Sequence, residues 1–112
     1  MGDNRSRGVA ALRLRVPPTA ILAENEMVAL ACFNTLVQLG RRVPGGVAVM
    51  VFGDELPEGA APVPMTAVSL RPDELCTRAL HLLLDQIDQR RTAGRTPAVE
   101  SVRPELVVRQ SA

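Results

Sequence analysis

The sequence predicts an α/β domain with a parallel sheet and flanking helices. Two short apolar segments, residues 20–23 and 47–52, flank a longer segment at about residues 26–39 whose apolar residues have helical spacing. The second short segment is an apolar run without alternation, which is typical of a strand buried on both faces. Residues 20–52 are therefore predicted to form one βαβ unit with a right-handed crossover.

Local signals mark both ends of the predicted helix. Asn25 precedes it as an N-cap, and Glu26 adds negative charge to the first turn, where the helix dipole favours an anion. Gly40 is placed to end it, because glycine readily adopts the left-handed conformation that closes many helices. Upstream, residues 9–16 predict a short helix, and the polar residues 1–7 predict a disordered N-terminus.

The second half of the chain alternates between loops and regular elements. Residues 53–64, rich in Pro, Gly and Ala, predict a loop, and residues 65–69 predict an extended segment that crosses between layers. A helix is predicted over about residues 72–91, because a proline fits its first turn and the following apolar residues keep helical spacing. Residues 95–104 have the composition of a linker, and a final strand is predicted at about residues 105–109.

The composition excludes several classes of function. The 112 residues, 46% hydrophobic and 22% charged, are enough for one small packed domain. The net charge of +1 provides no field that would attract nucleic acid or an anionic membrane. All 13 basic residues are arginines, which excludes mechanisms that depend on a lysine amine. The longest apolar run, residues 27–33, is far shorter than the roughly 20 residues that span a bilayer, so no membrane partner is predicted.

The cysteines and the histidine form no catalytic or metal-binding pattern. Cys32 and Cys76 lie in apolar segments without a C-x-x-C spacing or a histidine partner, so both are predicted to be small buried hydrophobes in a reducing cytoplasm. His81 has no nucleophile arranged beside it in the sequence. We therefore predict no catalytic residue, no metal site and no other cofactor.

Polar residues follow both of the first two predicted strands. Asn25 and Glu26 follow the first strand, and Asp54 follows the second. Since the carboxyl ends of parallel strands meet at one edge of a sheet, these residues form a candidate site for a small polar ligand. The spacing also fits an alternative in which Asn25 only caps the helix and Asp54 is a solvated loop acid.

The predicted helix at residues 26–39 has more apolar surface than contact with one sheet requires. Met27, Leu30 and Ala31 extend the apolar surface around its first turns. We expect these residues to be covered by a second copy of the chain in a symmetric dimer, or by another part of a larger domain.

Several segments of the chain resemble, in the same order, the effector domain of LacI/GalR-type transcription regulators. The similarity begins with a short strand and the start of a helix, continues through a turn and a buried strand, and ends with the last helix and closing strand. The matching segments are residues 18–30 (PTAILAENEMVAL), 39–44, 47–54, 65–68, 72–75 and 104–111. Together they cover about residues 8–112.

The resemblance implies a type I periplasmic-binding-protein-like fold. In that family a small polar metabolite, such as a sugar, binds in a cleft between two subdomains and changes the hold of a cytoplasmic dimer on operator DNA. Residues 8–112 would be the C-terminal portion of this effector-binding and dimerisation domain. No segment matches the family's helix-turn-helix, so DNA binding is expected only through an N-terminal region missing from this chain. Asn25 matches an effector-contact position, and Leu30 matches a residue of a dimer-contact helix.

Three positions depart from the family's pattern. Glu26 stands where the family usually has aspartate, Gly53 stands where it has an effector-contacting aspartate, and Leu70 stands where glutamine is frequent. Two polar contacts to an ordinary sugar are therefore missing, at positions 53 and 70. Two other functions stay open from the sequence alone: a solute-binding component of a transport system with the same fold, and an oligomerisation module that binds no ligand.

Overall fold

A computed structural model describes residues 9–90 and 99–112. The described elements are, in order, β1 (Ala20–Ala23), α1 (Glu26–Gln38), β2 (Ala48–Phe52), β3 (Thr66–Ser69), α2 (Pro72–Arg90) and β4 (Glu105–Val107). Residues 9–12 are also helical, whereas residues 13–16, which were predicted to continue this short helix, form a turn and a bend. The predicted disordered N-terminus at residues 1–7, and the first part of the predicted linker, lie outside the described residues.

The strands form one sheet in the order β1-β2-β3-β4. β1 pairs with β2 in parallel, with Ala20 opposite Ala48, and β2 pairs with β3 in parallel, with Met50 opposite Thr66. The α/β class and the parallel pairing within residues 20–52 are therefore confirmed. The segment at residues 65–69, which we expected to cross between layers, is instead a strand of the same sheet, because its backbone pairs with β2.

One face of the sheet carries the hydrophobic core. Val49 and Val51 of β2 are buried on this face, and α1 packs against β1 and β2. The helix buries Ala29, Phe33 and Leu36 there, because spacings of four and three residues place side chains on one side of a helix. Phe33 is the largest side chain of the core, and the others are aliphatic apart from the thioether of Met65.

The other face of β2 is not buried, so the prediction of a strand buried on both faces is wrong. Ala48 and Met50 are half-buried and Phe52 is 39% exposed, so burial alternates along the strand. The physical reason is that α1 covers only the face that carries Val49 and Val51. A run of apolar residues shows that a strand can be buried, but not how many layers cover it.

Gly40 ends α1 as predicted. Its backbone is left-handed, with a φ of 68°, and its N–H donates to the carbonyl of Val37 at 3.0 Å. The next N–H, of Arg41, donates to the carbonyl of Leu36 at 2.9 Å. The last carbonyls of the helix are thus satisfied within the turn that follows it.

The C-terminal residues are anchored to the sheet through Ser111, which is fully buried. Its hydroxyl donates to the carbonyl of Val49 at 2.6 Å and accepts from the N–H of Thr66 at 2.8 Å. Its carbonyl accepts from the N–H of Val49 at 2.9 Å, and its own N–H donates to the carbonyl of Pro64 at 3.0 Å. One serine therefore ties β2 to β3 near the start of both strands.

Residues 70–105 form a second compact unit, which contains α2. Within it, Arg78 pairs with Glu74 at 2.8 Å and lies 3.8 Å from Glu100. The predicted helix is confirmed, but several of its large apolar side chains are about half-exposed, namely Leu75, Leu80, Leu83, Leu84 and Ile87. Among the described helices, none combines the length and the apolar character needed to cross a membrane.

The two cysteines have different environments. Cys32 on α1 is half-buried, whereas Cys76 on α2 is exposed, so the prediction of two buried cysteines is wrong for Cys76. Cys76 has apolar neighbours in the sequence, but on a helix these neighbours point in different directions and do not cover its side chain. Its side chain therefore lies on the exposed surface of α2. Burial raises the pKa of the Cys32 thiol above its ordinary value.

This difference predicts unequal reactivity toward DTNB. Because the thiolate is the nucleophile, Cys76 of the folded protein should react at pH 8 about tenfold faster than Cys32, or faster still. Single Cys32→Ser and Cys76→Ser variants assign the two phases, and both cysteines should react alike in urea. Equal rates in the folded protein would contradict the burial assigned to Cys32.

Candidate functional site

The first part of the candidate site is the connection from β1 to α1, centred on Asn25. Its backbone is extended, with φ −156° and ψ 172°, and its Oδ1 accepts a hydrogen bond from the N–H of Val28 at 2.9 Å. Its carbonyl accepts from the N–H of Ala29 at 3.0 Å, so the predicted N-cap is confirmed. The cap uses the oxygen of the side-chain amide, while the NH₂ group belongs to an exposed residue.

Glu26 joins the two strand tips. It is the first residue of α1, and its Oε1 accepts a hydrogen bond from the N–H of Glu55 at 3.2 Å. The turn after β1 and the turn after β2 therefore lie at the same edge of the sheet, as parallel pairing predicts. The structure thus brings Glu26 and residues 53–55 together.

Gly53 follows the last residue of β2 and has no free space for a side chain. Its N–H donates to the carbonyl of Val68 at 2.9 Å, and its φ of 99° is disfavoured for every residue with a Cβ. A Cβ at this position would lie 2.8 Å from Cδ and 3.0 Å from Oε2 of Glu26. The carboxylate of Glu26 therefore fills the space beside Gly53.

Asp54 is held in an ion pair with Arg109. Nη1 of Arg109 donates to Oδ1 at 2.6 Å and to the carbonyl of Met65 at 2.9 Å, and Nη2 donates to Oδ2 at 2.9 Å. The hydrogen bond to Asp54, together with its negative charge, raises the pKa of Arg109 above the ordinary value. Asp54 is thus not a solvated loop acid, because both its oxygens hold the loop after β2 against the C-terminal residues.

This ion pair predicts a modest effect on stability. Its side chains are 34% and 24% exposed, so water still screens the pair. Replacing Asp54 with asparagine should lower the free energy of unfolding in urea by about 1 kcal/mol. Arg109→Met should cost a similar amount, and the double variant should cost little more than either single one, because both remove one interaction.

A matched control is the exposed loop acid Glu58. The Glu58→Gln variant should leave the free energy of unfolding within about 0.5 kcal/mol of the parent value. Fully additive losses for Asp54→Asn and Arg109→Met would show that the two side chains do not act as a pair.

A groove of about 570 Å³ lies beside the ion pair. It is lined by Arg109 and by loop residues between Gly53 and Met65, most of them apolar. Neither Asn25 nor Glu26 lines it, although Gly53 and Asp54 at the end of β2 do. In the described ranges, no group of three or more His, Cys, Asp or Glu residues is placed to hold a metal ion.

No local sequence pattern marks Arg109 or Ser111. Arg109 lies 55 positions from Asp54, and Ser111 lies 62 positions from Val49. Partners at such distances come together only through the order of the strands, which a single sequence does not reveal. The one available signal was the resemblance of residues 104–111 to a closing strand.

The residues predicted to contact a partner differ in exposure. Met27 is 78% exposed, whereas Leu30 and Ala31 are half-buried, and Leu30 packs against the core of its own chain. Met27 is therefore the residue of this set with the largest surface open to another molecule.

Comparison with known proteins identifies related sequences. The family described as "Periplasmic binding protein-like domain" matches residues 2–112. The HTH-type transcriptional regulator CelR of Thermobifida fusca is 37% identical over 109 residues, which cover 93% of this chain and 31% of CelR.

Two solved structures share the fold. A LacI family transcriptional regulator from Bifidobacterium animalis subsp. lactis DSM 10140 has a TM-score of 0.84 and 30% identity, covering 96% of this chain and 38% of that one. A LacI family transcriptional regulator from Arthrobacter sp. FB24, in complex with lactose, has a TM-score of 0.79 and 27% identity, covering 96% of this chain and 40% of that one. The chain spans less than half the length of each relative. It belongs to the family of periplasmic-binding-protein-like domains, and it is similar to part of the LacI family transcription regulators.

Proposed function

We propose that this chain is the effector-sensing and dimerisation part of a DNA-binding transcription regulator. A small polar metabolite binds at the carboxyl ends of β1 and β2, which form one wall of a cleft. The observation that carries this proposal is the hydrogen bond from the N–H of Glu55 to Glu26, which joins the two strand tips at one edge of the sheet. In open parallel sheets, ligands bind at this edge.

The side chains at this edge favour a ligand with hydroxyl groups. Asn25 has an exposed amide and Glu26 a half-buried carboxylate, which together offer both donors and acceptors. Asp54 acts indirectly, by fixing the loop after β2, because Arg109 occupies both its oxygens. The lactose complex of the Arthrobacter regulator supports a sugar or a related polyhydroxylated metabolite.

We propose that operator DNA is bound by a region that this chain does not include, in the cytoplasm, and that the chain itself catalyses no reaction. The relatives CelR and the Bifidobacterium protein, both named as transcriptional regulators, support this assignment.

Thermal unfolding of the intact protein tests the proposed ligand class. A panel of lactose, glucose, sucrose and adenosine should contain a sugar that raises the Tm by about 5 °C or more at 100 times its Kd. The Asn25→Asp variant tests the role of the side-chain NH₂ group, because aspartate caps a helix as well as asparagine but lacks the NH₂ donors. It should keep the ligand-free Tm and lose most of the sugar-induced shift. A panel without any shift, or an unchanged shift in Asn25→Asp, would contradict the proposal.

We further propose that the N-terminal half of α1 forms the dimer contact. Met27 is a large apolar side chain that is 78% exposed, and the half-buried Leu30 and Ala31 extend the apolar surface beside it on the same helix. A surface of this kind is stabilised when a second copy covers it.

Sedimentation equilibrium tests this contact. The intact protein should be a dimer at micromolar concentration, and Met27→Glu should raise the dimer dissociation constant about tenfold or more, because it places a charge in an apolar contact. Val37→Glu, an exposed position in the last turn of the same helix, is the control and should leave the dimer intact. A monomeric parent protein, or an unaffected Met27→Glu variant, would contradict the proposed dimer contact.

A further inference from the structure

Gly53 at the end of β2 and Glu26 at the start of α1 are sterically matched. The carboxylate of Glu26 fills the volume that a side chain at position 53 would need: Oε1 is the atom nearest to the position of its Cβ, and Oε2 lies 3.0 Å from it. The backbone of Gly53 cannot easily move away, because its N–H is bonded to the carbonyl of Val68 at 2.9 Å. The flexible Glu26 side chain is therefore the partner that would have to yield.

We propose that this pair determines ligand specificity at the strand-tip site, the edge of the sheet formed by Asn25, Glu26 and residues 53–55. The absence of a side chain at position 53 allows α1 to present a carboxylate at the tip of β2, where Oε2 of Glu26 accepts a hydrogen bond from a hydroxyl of a sugar-like effector. This inference rests on the proposed effector-binding function and names the residue that selects the ligand's hydroxyl donor.

Glu26 and Asp54, one acid from each of the two turns, differ in the hydrogen-bond acceptors that remain for a ligand. Both oxygens of Asp54 are bonded to Arg109, which also neutralises its charge. In contrast, Oε1 of Glu26 accepts one backbone N–H, from Glu55, and no arginine of the described ranges forms a salt bridge with it. Glu26 thus keeps an oriented, charged acceptor at the edge of the sheet.

Gly53 contributes to ligand binding through the position of Glu26, and an alanine there would in addition strain the backbone at its φ of 99°. A methyl group at position 53 would displace the carboxylate, although neither glycine nor alanine has a side-chain group that can bind a ligand. Gly53→Ala should therefore weaken ligand binding for the same reason as a change at Glu26 itself. A residue that acts in this way is a positioning residue.

Isothermal titration of the intact protein with lactose and with glucose tests the proposal. Glu26→Gln keeps the side-chain volume but loses the charge, and should weaken binding of the preferred sugar about tenfold or more. Gly53→Ala should cause a comparable loss, and the double variant should bind within about twofold of the weaker single variant. Glu24→Gln, an exposed acid of the same turn, is the matched control and should bind within about twofold of the parent protein.

Two results of the titration would overturn the proposal. The first is parent-like binding by Glu26→Gln, and the second is a double variant whose loss equals the product of the two single losses. Should Gly53→Ala not fold, Glu26→Asp takes its place: it keeps the charge but withdraws the carboxylate by one methylene, and a parent-like affinity would again overturn the proposal.

A crystal structure of ligand-free Gly53→Ala separates this inference from the proposed function. The Glu26 carboxylate should leave its position beside residue 53, whereas an unmoved carboxylate would overturn the proposed pairing. If the parent protein binds none of lactose, glucose and sucrose, the proposed sugar class fails, and this structure still decides whether the two positions are coupled.

Discussion

Replacing Phe33 with alanine is expected to lower the free energy of unfolding by about 3–5 kcal/mol, the largest loss expected for a single change in this chain. Phe33 is only 1% exposed and is the largest side chain in the core between α1 and the sheet. The variant loses the transfer free energy of the aromatic ring and leaves a cavity among Ala29, Leu36 and the valines of β2. Urea unfolding followed by circular dichroism measures the loss.

Val37→Ala provides the matched control for Phe33→Ala. Val37 lies four residues further along the same helix and is 54% exposed, so its truncation should change the free energy of unfolding by less than about 0.5 kcal/mol. Similar losses for the two variants would mean that α1 does not pack through the face assigned to it.

Replacing Ser111 with alanine is expected to cost about 2–4 kcal/mol, although it removes only one hydroxyl group. The N–H of the buried Thr66 would lose its acceptor, and the carbonyl of Val49 would lose a donor. The cost is large because a buried polar group without a partner keeps its full desolvation penalty. Urea unfolding again provides the measurement.

Gln110→Ala tests whether the effect belongs to Ser111 or to any change in the last residues. Gln110 is the exposed neighbour of Ser111, and its truncation should leave stability within about 0.5 kcal/mol of the parent value. A loss below about 0.5 kcal/mol in Ser111→Ala would show that the C-terminal residues do not hold β2 and β3 together.

The features that could be predicted from the sequence depend on local chemistry. The bounds of β1, the N-cap at Asn25 and the glycine that ends α1 all follow from residues within a few positions of each other. The features that could not be predicted depend on layers and long-range partners. The half-exposed second face of β2 depends on what covers the sheet, and the pair of Asp54 with Arg109 depends on the position of the C-terminal residues.

The candidate site shows the same division. The sequence placed Asn25, Glu26 and Asp54 after adjacent parallel strands, and the geometry of the sheet brings Glu26 and residues 53–55 together. Glu26 and Gly53 stood out in the sequence as two separate departures from the family's pattern. Their relation is visible only in three dimensions, where the carboxylate of one fills the space beside the other.

The most direct test of the strand-tip site is a crystal structure of the intact protein with the sugar that gives the largest thermal shift. A hydroxyl of the ligand should lie within hydrogen-bond distance, about 2.5–3.0 Å, of the Glu26 carboxylate, and a second polar group of the ligand should lie at the Asn25 amide. A ligand seated instead in the groove lined by residues 56–64, with no contact to Asn25 or Glu26, would contradict it.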